Sequence, residues 1–107
     1  MVESANSGRV DFARINEAGR GRAESICRSF LPAGRREGAE WVALNPVRND
    51  RKAGSLKINL NSGKWADFAL SDAKGGDLVS LVAYVCALPQ REAAIRLAEA
   101  LGVDPYA

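Results

Sequence analysis

Histidine is absent from this chain of 107 residues, cysteine occurs twice, and methionine once. No apolar run approaches the roughly 18 residues of a membrane span. Each absence excludes something. Without histidine, the commonest general base is missing. Cys27 and Cys86 alone cannot supply the four Cys/His ligands of a structural zinc site. Both cysteines sit among helix-type apolar residues, so buried free thiols are expected. A disulfide would need the two Cα atoms within about 7 Å, and an intracellular setting disfavours one. Residues 1–8 (MVESANSG) lack the basic-then-apolar pattern of a signal peptide. A cytoplasmic protein with no membrane contact is expected. No Walker loop GxxxxGK[ST] and no nucleophile–base pair occurs, so the chain is expected not to be an enzyme. No cofactor and no metal is implied.

What is present suits one domain: a disordered tail over 1–8, then a single unit over 9–107. Hydrophobic residues make up 47% and charged residues 26%, which suits an ordinary packed core. The net charge is only +2, but it is uneven. Residues 1–54 hold ten Arg/Lys against seven Asp/Glu, and residues 55–107 hold five against six.

Val10, Phe12 and Ile15 favour a weak helix over about 11–17, which Gly19 and Gly21 break. Ala23, Ile26, Cys27 and Phe30 recur on one face of a better helix from Arg22 to Leu31. Pro32 and Gly34 end it. Arg35, Arg36 and Glu37 read as a charged loop. Glu40 to Leu44 is strand-like and stops before Pro46, which cannot donate to a ladder.

The chain is organised around the stretch from Asn45 to Val82. Leu56, Ile58 and Leu60 alternate on one face of a strand, with Lys57, Asn59 and Asn61 on the other. Asn61-Ser62-Gly63-Lys64 supplies a turn in which Gly63 takes a positive φ. Trp65 to Ala69 returns as the partner strand. Pairing Leu60 with Trp65 puts Asp67 on the apolar face and Phe68 on the other, so either a bulge intervenes or both faces are partly covered. A loop from Ser71 to Gly76 follows. Asp77 caps a helix over about 77–87, with Leu78, Leu81, Val82 and Val85 buried. Pro89 opens a second helix, whose apolar face is Ala93, Ala94, Leu97, Ala98 and Leu101 and whose stop is Gly102. Their short link makes the two helices antiparallel or steeply crossed. The expected fold is α+β: a small antiparallel sheet of three to five strands packed against two C-terminal helices, with a helix before the sheet.

The order of short motifs supports a family resemblance. Asn45-Pro46-Val47-Arg48, Ala53-Gly54-Ser55-Leu56 and Asp67-Phe68-Ala69-Leu70 follow one another. Gly75-Gly76-Asp77-Leu78-Val79 and Glu92-Ala93-Ala94-Ile95-Arg96-Leu97-Ala98 complete the series. Over about residues 40–103 this resembles the N-terminal zinc-binding domain of bacterial and phage DNA primases. It is similar to degenerate forms in primase-like proteins of phages, plasmids and integrated elements. The four positions that hold zinc in that family are Asn45, Arg48, Asp67 and Leu70 here, and none is Cys or His. The resemblance implies a zinc-ribbon-like but zinc-free sheet. An ion pair between Arg48 and Asp67, with Asn45 hydrogen-bonding nearby and Leu70 packing, is the expected replacement for the metal. An exposed pair contributes at most about 1 kcal/mol, so core packing must supply most of the stability.

The resemblance also implies contact with single-stranded DNA in replication or priming. Independently, Arg48, Arg51, Lys52, Lys57 and Lys64 stand against only Asp50 between residues 48 and 64, and such cations can neutralise phosphates. Trp65 is the stacking candidate, although it also suits the core beside Leu60. Lys74, just before the Gly-Gly-Asp turn, could reach an anion, but Asp77 already occupies the positive end of its helix. The basic cluster equally suits a solvated charged face. A rival reading is a protein–protein adaptor docking to a primase, helicase or other replication protein. A third, a metal-dependent nuclease or polymerase fragment, would need Asp67, Asp72 and Asp77 to hold Mg²⁺.

Overall fold

The computed structural model describes residues 9–47, 55–69 and 73–107. The fold is α+β, as the sequence patterns predict. Two helices come first: α1 (Phe12–Arg20) and α2 (Ala23–Phe30). Among the described residues, five strands follow: β1 (Arg35–Glu37), β2 (Glu40–Ala43), β3 (Leu56–Asn59), β4 (Trp65–Asp67) and β5 (Lys74–Gly75). Two helices close the chain, α3 (Leu78–Cys86) and α4 (Gln90–Leu101). The sheet is an antiparallel meander in the order β1-β2-β3-β4-β5. No single helix among the described residues is long and apolar enough to cross a membrane.

The C-terminal helices form where their caps and apolar stripes place them. The Asp77 carboxylate accepts from the Ser80 N–H at 2.8 Å and starts α3. Gly102 ends α4 with φ +72°. The chain bends by 107° between the two helices, so they cross steeply. Leu78, Leu81 and Val82 from α3 meet Leu97 and Ala98 from α4 in one buried cluster.

Three local expectations are corrected. The first helix does not stop at Gly19; it runs to Arg20, and Gly21 caps it. A glycine inside a helix costs about 1 kcal/mol, but here it permits a close approach. A Cβ on Gly19 would lie 2.9 Å from Leu78 Cδ1. Arg35-Arg36-Glu37 is not a loop but an edge strand, with Arg36 opposite Trp41. Its three exposed charged residues carry no apolar alternation, so nothing local marks them as a strand. Lys74–Gly75, expected within a loop, adds a short strand to β4.

The β3–β4 register also differs. Ile58, not Leu60, pairs with Trp65, and Leu56 pairs with Asp67. The longer turn is built by Asn59, whose side-chain oxygen accepts from the Asn61 and Ser62 N–H groups at 2.8 and 3.0 Å. Gly63 takes φ +81° there. No bulge is needed, because the apolar face accommodates Asp67. That inner face carries Trp41, Ala43, Leu56, Ile58 and Trp65, all buried.

Helices pack on this face through the two tryptophans. Trp41 Nε1 donates to the Leu31 carbonyl at the end of α2, and Trp65 Nε1 donates to Ser80 Oγ of α3. Gly75 must be glycine for the second contact, since a Cβ there would fall 2.5 Å from Trp65 Nε1. After α4 the chain returns along the start of α1. Val10 bridges Tyr106, and the Arg14 guanidinium donates to the carbonyls of Asp104 and Tyr106.

Candidate nucleic-acid interface

The second face of the sheet gathers the charged residues. Strand alternation points Lys57 and Asn59 of β3 away from the core. Cross-strand partners share a face, so Lys57, Ala66 and Lys74 form one row across β3, β4 and β5. At a strand spacing of about 4.8 Å, the Lys57 and Lys74 backbones stand about 10 Å apart. Lys64 and Lys74 are exposed, and Lys57 is half-buried.

An aromatic ring stands in this basic row, but it is not Trp65. Trp65 is 5% exposed and stacks at 5.1 Å between centroids on Tyr84, so it is a core residue and no platform for a base. The exposed ring is Phe68, with 73% of its surface open. Its N–H donates to the Ser55 carbonyl at 2.8 Å, which prolongs the β3–β4 ladder past Asp67. The Lys57 ammonium lies 5.6 Å from the Phe68 ring centroid, within cation–π range. A shallow cleft of about 190 Å³ is lined by Lys57, Lys64 and Phe68 together with Glu40 and Asn59.

Arg48, Arg51, Lys52 and Leu70 lie outside the described residues, and with them the expected Arg48–Asp67 ion pair. The other half of that expectation is visible. Asn45 and Asp67 are 1% and 2% exposed, and Asn45 Nδ2 donates to Asp67 Oδ2 at 2.7 Å. The same amino group donates to the Tyr84 hydroxyl at 2.8 Å. Each side chain also holds a turn: Asn45 Oδ1 accepts from Val47 N–H, and Asp67 Oδ1 accepts from Ala69 N–H. Asn45 and Asp67, 22 residues apart, are thus joined by a buried hydrogen bond. Sequence reasoning missed Tyr84, which lies 39 residues from Asn45 and looks like any helix-stripe residue.

The Gly75-Gly76-Asp77 turn serves as a helix start. Asp77 takes the Ser80 N–H, and Asn16 of α1 spans the same end. Asn16 Oδ1 accepts from Val79 N–H at 3.0 Å while its Nδ2 donates to Asp77 Oδ2 at 3.2 Å. The amides that would hold an anion are occupied. Asp67 and Asp77 therefore face separate tasks, and Asp72 lies outside the described residues. Among the described residues no group of three or more metal-ligating side chains is assembled.

Sequence reasoning also missed Phe68 as the exposed aromatic, Glu40 and Asn59. The signal for Phe68 was its parity, since it alternates with Asp67. Comparison with protein-family models, with curated proteins and with solved structures finds no match.

Proposed function

We propose that this chain is a non-catalytic nucleic-acid-binding module that holds single-stranded DNA against the outer face of its sheet, in replication or priming within the cytoplasm. One observation carries the reading: Lys57, Lys64 and Lys74 share a face with an aromatic ring that is 73% exposed. Lysines neutralise backbone phosphates without reading sequence, and a solvent-facing ring stacks an unpaired base. Double-stranded DNA offers no free base face to such a ring, which favours a single strand. The resemblance of residues 40–103 to the primase zinc-binding domain supports the same partner. The basic residues Arg48, Arg51 and Lys52, which follow β2 in sequence, lie outside the described residues.

The test is a titration of fluorescent single-stranded DNA at low and high salt. The affinity is expected to fall with salt, and the slope to flatten in a Lys57→Ala/Lys64→Ala/Lys74→Ala variant. Phe68→Ala is expected to lose about 1–3 kcal/mol, the usual worth of one stacked base. Absence of binding at low salt would overturn the reading.

The adaptor reading has its own observation. An apolar cleft of about 280 Å³ lies between the α2–β1 connection (Phe30, Pro32, Ala33) and the end of β2 (Leu44, Pro46). Val47, next in sequence, is 52% exposed. A replication protein such as a primase or helicase would dock there, and failure of the DNA titration would turn attention to it.

A further inference from the structure

Glu40 is out of place on a phosphate-binding surface. It lines the cleft beside Lys57, Lys64 and Phe68, where a carboxylate repels the DNA backbone. Among the described residues, the other acidic side chain on that face is Glu37, which pairs with Arg35 at 2.5 Å. Glu24 is likewise shared between Arg28 and Arg36. Among the described residues, Glu40 makes no such pair. Its cross-strand neighbours are Glu37 on β1, an acceptor like itself, and Asn59 on β3, whose side-chain oxygen accepts from the turn and whose amino group makes no hydrogen bond to Glu40. The Glu40 carboxylate is therefore an acceptor with capacity to spare, lining the same cleft as the Lys57 ammonium and the exposed Phe68 ring.

That trio matches one base better than the others. Guanine presents two adjacent donors, N1–H and the N2 amino group, which a carboxylate accepts side by side. Its O6 and N7 are acceptors for a lysine. Thymine places a single N–H between two carbonyls, which repel a carboxylate. Adenine and cytosine set one amino group beside a ring acceptor. The guanine N1 and N2 edge is free only in an unpaired nucleotide, whose ring can also stack on Phe68. A cleft of about 190 Å³ admits one base and is smaller than the roughly 300–1,000 Å³ of ordinary ligand pockets.

We infer that the cleft between Glu40, Lys57 and Phe68 is a reading site for one unpaired guanine. The inference rests on the nucleic-acid-binding function proposed above. It makes Glu40 the residue that sets base preference, with Lys57 on O6 and N7 and Phe68 beneath the ring.

The experiment compares labelled oligothymidylates of about eight nucleotides, a length within the usual single-strand site size, carrying one central guanine, deoxyinosine or no substitution. Wild type is expected to bind the guanine-bearing strand about fivefold or more tightly than the all-thymine strand. Deoxyinosine, which lacks the N2 amino group, is expected to lose part of that advantage. Glu40→Ala is expected to abolish the advantage while binding the all-thymine strand more tightly, because a repelling charge is gone. A merely electrostatic role would move every strand in the same direction. Equal wild-type affinity for all three strands would overturn the guanine site and leave the DNA-binding function standing. A guanine advantage undiminished in Glu40→Ala would also overturn it. No binding of any strand at low salt would overturn both.

Discussion

The Cys27 thiol sits on the buried side of α2, and burial, aided by the negative charge of Glu24, pushes its pKa up to about 12 from 9.0. The folded protein then holds this proton over a range in which the unfolded chain releases it. The stability it contributes is complete below about pH 9 and is lost as pH rises through about 12. The loss is at most about 1.4 kcal/mol per pH unit. Urea melts between pH 8 and 11 are expected to show this alkaline decline, and a Cys27→Ala variant, less stable overall, is expected to lack it. Thiol labelling under native conditions is expected to reach half-buried Cys86 first and Cys27 only on unfolding. The thiolate is the reactive form, and burial withholds it at Cys27.

Among the elements, the helices were the more legible in sequence, and their ends say why. The Asp77 cap of α3 and the Gly102 stop of α4 are local signals, written within a few residues of the ends they mark. The end of α3 carries no such signal. Ala87 takes φ +54° there, and its chain closes through Leu88 N–H to the Ala83 carbonyl at 3.0 Å. A left-handed conformation costs a residue with a Cβ about 1 kcal/mol or more relative to glycine. Ala87 is exposed, so its methyl group contributes little packing in return. Ala87→Gly is therefore expected to stabilise the protein by about 1 kcal/mol and to raise Tm by about 4–8 °C in a thermal melt. A lower Tm would show that the methyl group packs more than its exposure implies. β1 stands at the opposite extreme. Its three charged residues become a strand only because β2 offers an edge to pair with.

At the scale of the whole molecule, one amide joins three elements across the layers, beside the two tryptophan contacts. Asn45, just beyond β2, reaches Asp67 on β4 and Tyr84 on α3 with the two hydrogens of its amino group. Buried polar groups stabilise a fold when their partners are all present and cost it when one is removed. Asn45→Ala withdraws a donor from both Asp67 and Tyr84 and is expected to cost about 1–3 kcal/mol in urea unfolding. Tyr84→Phe removes a single hydroxyl and is expected to cost less, about 1 kcal/mol. If Asn45→Ala proved neutral, the sheet and α3 would be held together by apolar packing and the Trp65–Ser80 hydrogen bond without help from this amide. The same contact positions the proposed DNA-binding face, since Asp67 also holds the Ala69 amide and so the turn that carries Phe68.

Local chemistry in the chain was enough for the fold class, the α3 and α4 spans, the Gly63 turn and the alternation of β3, because caps, turn residues and side-chain periods act within a few positions. It also placed the faces of the hairpin correctly despite the wrong register. Moving Trp65 from Leu60 to Ile58 shifts the ladder by two residues, and a strand repeats every two, so inward residues stay inward. What folding in three dimensions settled was everything that depends on distant partners. Gly19 stays helical because Leu78 needs the space, and Asp67 is buried because Asn45, 22 residues away, meets it. Trp65 joins the core because Ser80 and Tyr84 receive it, and that leaves Phe68 as the exposed ring among lysines. Glu40 shares a cleft with that ring only through the strand order, which no local pattern encodes.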